Sequence, residues 1–132
     1  MISTKNLVQK NIENLTSLWR TAGEGAAAHS ARNEFEFGDI NYSEWPNRLW
    51  FDQGLNKSNL QAAKNILMST STKLVIPYWD IYESKSYELL EAKGFEKTFE
   101  QIGMSLKLMQ SYEPIEALRI EKVSNKETAI LW

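Results

Sequence analysis

Few side chains in this 132-residue chain could do chemistry, and most of those are acidic. His29 is the only histidine and there is no cysteine, so a histidine cluster for a metal, a triad or a thiolate nucleophile has no material. His29 reads as a surface or capping side chain, with a lone general base as the other reading. Glu34 and Glu36 fall on one face of an expected strand, opposite Phe35 and Phe37, the pattern of a solvated polar face. Asp39, Glu44 and Asp52 could form an acidic patch attractive to an amine. Trp45, Trp50 and Trp79 could line a groove, although aromatics at alternating strand positions are usually core. Tyr87 reads as a packing residue of an amphipathic helix.

These residues need a scaffold, and its clearest marker is Ser86 to Leu108. Gly94 stands where a helix ends in a left-handed residue, Lys93 lies in the last turn, and Phe95 follows as the apolar residue that folds back onto Leu90. Ser84 is the expected cap of that helix. Beyond Phe95 a strand pair is expected to run to Leu108, with Ile102, Met104, Leu106 and Leu108 alternating at strand period.

Upstream, Val8, Ile12, Leu15 and Trp19 predict a helix over Lys5 to Arg20, started by Ser3 or Thr4 and ended by Gly23. Gly23 to Arg32 reads as a loop leading to a short second helix, because Gly23 and Gly25 both oppose helix. Strands are expected over Glu34 to Ile40 and Arg48 to Phe51, forming an antiparallel pair. Ser58 and Gln61 match a capping box for a helix bearing Leu60, Ala63, Ile66 and Leu67. Lys73 to Tyr78 reads as a strand covered on both faces whose ladder Pro77 breaks.

Composition sets the outer bounds. With 42% hydrophobic and 24% charged residues the chain has the make-up of a soluble domain, and the cytoplasm is the expected location. A net charge of −2 does not suit nucleic acid or an anionic membrane. No apolar run reaches membrane-spanning length. Five tryptophans are many for this size and predict a heavy core or a partly exposed apolar groove.

The run L-L-E-A-K-G-F, followed by M-S-L-K-L, resembles the C-terminal end of the GNAT fold of acyl-CoA-dependent N-acetyltransferases. L-V-I-P-Y-W resembles that family's fifth strand, and Ser58 to Ser69 the helix before it. Trp45 to Phe51 looks like a central strand region in the N-terminal half of tandem GNAT proteins, and Leu118 to Trp132 like the opening of the following half. The resemblance implies an α/β fold, a GNAT-like mixed, mostly antiparallel sheet with helices on both faces. It divides the chain into a domain over 1–109, a linker over 110–116, and the start of a second domain or a docking tail over 117–132.

It also implies acyl transfer from acetyl-CoA or another acyl-CoA to an amine, with two departures. Family enzymes hold the CoA pyrophosphate on a Q/R-x-x-G-x-G/A loop at a helix start, where backbone N–H groups and the dipole favour an anion. Here Asp52 to Leu60 offers only Gly54. Arg20 to Gly25 fits the pattern but follows a helix, and a helix-ending glycine pair outweighs it by roughly ten to one. Many members place a tyrosine acid four residues before the glycine, and that position is Leu90. Family carboxylates on central strands can deprotonate the amine, and Glu34 or Glu36 would be their counterparts. The expectation is a degenerate N-terminal half that binds acyl-CoA poorly and supports a partner half, in cis or in a homodimer, with a small-molecule amine as possible substrate. The alternative is a non-catalytic binding or dimerisation module on the same scaffold. No residue is assigned a catalytic, cofactor-binding or metal-ligating role.

Overall fold

The computed structural model describes residues 3–52, 54–79 and 86–104. Their elements, in order, are helix α1 (Thr4–Gly25), strands β1 (His29–Ala31), β2 (Phe35–Gly38) and β3 (Arg48–Phe51), and helices α2 (Lys57–Ser69) and α3 (Ser86–Ala92). The expected linker, the start of a second domain and the Ser84 cap lie outside the described residues.

α1 begins as expected, with the Ser3 hydroxyl accepting from the Asn6 N–H. It ends later than the glycines suggest. Gly23 stays helical, and its lack of a side chain serves the close approach of α1 to β1: a Cβ at Gly23 would stand 3.1 Å from the His29 Cβ. The helix stops instead at Ala27, whose φ is +53°, with Ala27 N–H bonded to Glu24 O and Ala28 N–H to Gly23 O. This is a Schellman ending with alanine in the position glycine usually takes. The segment expected to hold a second helix is therefore the end of α1 and the strand β1.

The three strands form one antiparallel sheet in the order β1-β2-β3. Phe35 faces Phe51, Phe37 faces Leu49, and Glu36 faces Trp50. Alternation sends Phe35, Phe37, Leu49 and Phe51 to one side, where they pack with Leu55, Leu60 and Ala63 of the α2 region and Leu90 of α3. The other side carries His29, Glu36 and Trp50, and α1 lies over it through Trp19 and Arg20. Helices therefore cover both faces of the sheet.

Next to β3, Val75 makes one parallel bridge with Arg48: Leu49 N–H donates to Val75 O and Val75 N–H to Asn47 O. The ladder goes no further because its next donor would be residue 77, and proline has no N–H. The strand expected over Lys73 to Tyr78 is thus reduced to a bridge, with Lys73 exposed and Leu74 to Tyr78 half-buried rather than covered on both faces.

α3 closes as the sequence predicts. Gly94 has φ +82°, Gly94 N–H bonds Glu91 O, Phe95 N–H bonds Leu90 O, and Leu90 and Phe95 both join the core. The strand pair expected after it is absent as far as residue 104: no strand forms over 95–104, and Phe99, Ile102 and Met104 are exposed. Residues 105–108 lie outside the described residues.

Candidate functional site

Between α1 and the sheet lies a polar cluster centred on Glu36. Arg20 grips it side-on, Nε donating to Oε2 at 2.8 Å and Nη2 to Oε1 at 2.7 Å. His29 Nε2 lies 2.7 Å from the same Oε2, and because a carboxylate only accepts, the proton sits on Nε2. The other ring nitrogen of His29 faces Glu24 at 3.9 Å. Asp52, two residues beyond Trp50 on the same face, completes the group as a second carboxyl close enough to feel the Glu36 charge.

The charges of this cluster are unequal. Hydrogen bonds from Arg20 outweigh burial, and with help from His29 they hold the Glu36 carboxyl at about 2. Asp52 is pushed up, first by partial desolvation and then by the neighbouring Glu36 charge, with Arg20 opposing. Arg20 is raised in turn by its hydrogen bond to Glu36. Glu36 is the ionised member and Asp52 the one readier to hold a proton. A carboxylate clamped this firmly is a poor general base, since both its oxygens are engaged and its proton affinity is low.

Aromatic rings wall the cluster. His29 stacks on Trp50 at 6.2 Å, Trp50 packs on Trp19 at 5.6 Å, and Trp19 stacks on Trp79 at 6.1 Å. Among the described residues, the indole N–H groups of Trp50 and Trp79 are buried without a hydrogen-bond partner, as is one oxygen of Asp39. Trp50 and Trp79 are therefore packing residues beside a charged cluster, while Trp45 is exposed on the β2–β3 connection.

The structure redistributes the sequence candidates. His29 is neither a surface group nor a cap but a half-buried strand residue bonded to Glu36. Glu36 is half-buried between α1 and the sheet and does not stand on a solvated face, whereas Glu34 is exposed. Asp52 joins Glu36 instead of an acidic patch with Asp39 and Glu44. Arg20 to Gly25 forms no loop at all, being the last part of α1. Tyr87 packs edge-on against Tyr78 at 5.6 Å. Among the described residues, no group of three or more acidic, histidine or cysteine side chains is arranged to hold a metal ion.

The start of α2 is the second place of interest. The capping box is Asn56 with Asn59, not Ser58 with Gln61. Asn56 Oδ1 accepts from the N–H groups of Ser58 and Asn59 at 2.9 Å each, and Asn59 Oδ1 accepts from Asn56 N–H at 2.8 Å. Asn59 also donates to Gly54 O at 2.8 Å, pinning the preceding loop. Three of the four amides that a helix start leaves open are thus occupied by the chain itself.

No protein-family model, no curated protein and no solved structure matches this chain.

Proposed function

We propose that this chain is a GNAT-like domain that does not itself hold acyl-CoA and instead serves a partner half, in cis or in a dimer, that transfers an acyl group to an amine. One observation carries the reading. The helix start that would have to receive a pyrophosphate is closed by Asn56 and Asn59, so an incoming anion would have to displace hydrogen bonds already made. Two others support it: Leu90 at the position of the family's tyrosine acid is committed to the core, and Glu36 is spent on Arg20 and His29. The scaffold reading draws on the antiparallel sheet, the parallel bridge from β3 to Val75, and the Gly94-Phe95 corner.

Calorimetric titration of the purified chain with acetyl-CoA is expected to show no binding at micromolar concentration. Micromolar affinity would overturn the proposal. The supporting role is read separately, by assaying acyl transfer in a protein that joins this domain to a second GNAT half and in that second half alone. A second half that is equally active alone favours the non-catalytic module, which the same closed helix start also suits.

A further inference from the structure

We infer that the connection between β2 and β3 is a preformed docking loop for an arginine-bearing segment of a partner protein, with Tyr42, Glu44 and Trp45 as its contact residues. The loop is firmly tied. Asn47, only 1% exposed, accepts from Ile40 N–H at 2.7 Å and donates to the carbonyls of Ile40 and Ser43. Ser43 N–H bonds Ile40 O, and the Ser43 hydroxyl bonds both the N–H and the carbonyl of Trp45. Pro46 is fully buried, and Asn41 accepts from the hydroxyls of Ser71 and Thr72 beyond α2.

On this anchored base two large aromatics are turned outward, Tyr42 at 83% and Trp45 at 46% exposure. Aromatic side chains carried on a backbone already fixed before binding spare the cost of ordering the loop, and such residues dominate binding hot spots. The chemistry of the partner follows from charge. Glu44 lies between them in sequence, exposed, and makes no ion pair among the described residues. The nearest cation in the loop, Arg48, is turned back, its Nη1 donating to the carbonyls of Pro46 and Asn47. A carboxylate with no ion pair among the described residues, on a short loop that also exposes two aromatic rings, suits a guanidinium, which can pair with the one and stack on the others.

The test follows the indole N–H resonance of Trp45 by NMR, assigned through its loss in Trp45→Phe. The titrant is an acetylated, amidated glycine pentapeptide carrying two arginines, and the control is the same peptide with citrulline in their place. The resonance is expected to move saturably with arginine and not with citrulline. Glu44→Gln is expected to weaken the effect by about fivefold, and Tyr42→Ala to reduce it similarly. Both side chains are exposed, so the remaining resonances should stay in place. An unmoved Trp45 signal at millimolar peptide, an equal response to citrulline, or an unchanged response in Glu44→Gln overturns the inference. The outcome does not depend on whether the domain holds acyl-CoA.

Discussion

Glu36 joins three elements through one side chain. It stands on β2, takes two hydrogen bonds from α1 through Arg20, and takes a third from β1 through His29. Its carboxyl is held at about 2, below its ordinary 4.5. A depressed folded-state value means the stabilisation is fully present above pH 4.5 and is lost as pH falls toward 2. Glu36→Gln is therefore expected to cost about 2–3 kcal/mol at pH 7, measured by urea denaturation, with the difference shrinking below pH 4.5. Asp52 carries the opposite sign. Its raised value means that its ionisation works against the fold near neutrality. Asp52→Asn, which removes the repulsion and supplies an amide donor beside Glu36, is expected to raise stability at pH 7. The gain should vanish below about pH 4, where the aspartate is protonated in both states. A variant less stable than the parent at pH 7 would show that Asp52 is needed as an anion.

Of the two helices that a glycine is expected to end, α3 obeys and α1 does not. Gly94 does what its position predicts, and Gly94→Ala is expected to cost about 1–2 kcal/mol because an L-residue is forced to positive φ. Ala27 already bears that penalty at φ +53°. Ala27→Gly should therefore stabilise the protein by about 0.5–1 kcal/mol, visible as a raised midpoint in thermal unfolding. At Gly23 the requirement is space, not dihedral freedom. A side chain there would push α1 off His29 and disturb the hydrogen bond from His29 to Glu36. The Asn56 and Asn59 cap was missed for a related reason: two asparagines three apart are a weaker signal than serine followed by glutamine, and the loop tied down through Gly54 decided between them.

Across the molecule, the sheet separates two kinds of interior. One face is an aliphatic and phenylalanine core under α2 and α3; the other is indole and charge under α1. Trp19 is the hinge of the second, in contact with both Trp50 and Trp79. Trp19→Ala is expected to cost about 3–5 kcal/mol, in line with truncating a buried aromatic. Because the same sheet serves both faces, unfolding followed by fluorescence and by circular dichroism should shift together. A loss of the tryptophan signal alone would show that α1 detaches independently.

The sequence by itself determined what depends on neighbours in the chain. Alternation placed Phe35, Phe37, Leu49 and Phe51 on one face, helical spacing placed Trp19 inward, and the Gly94-Phe95 pair marked the end of α3. Pro77 foretold the broken ladder for want of an N–H. The cluster of Arg20, His29, Glu36 and Asp52 was not legible, because its members lie on four separate segments and each alone looks like surface. Only the tertiary structure, by laying α1 across His29 at Gly23, could turn an exposed-looking carboxylate into the tie between helix and sheet. Charge pairing of this kind is set by which segments meet, and no local periodicity encodes the meeting.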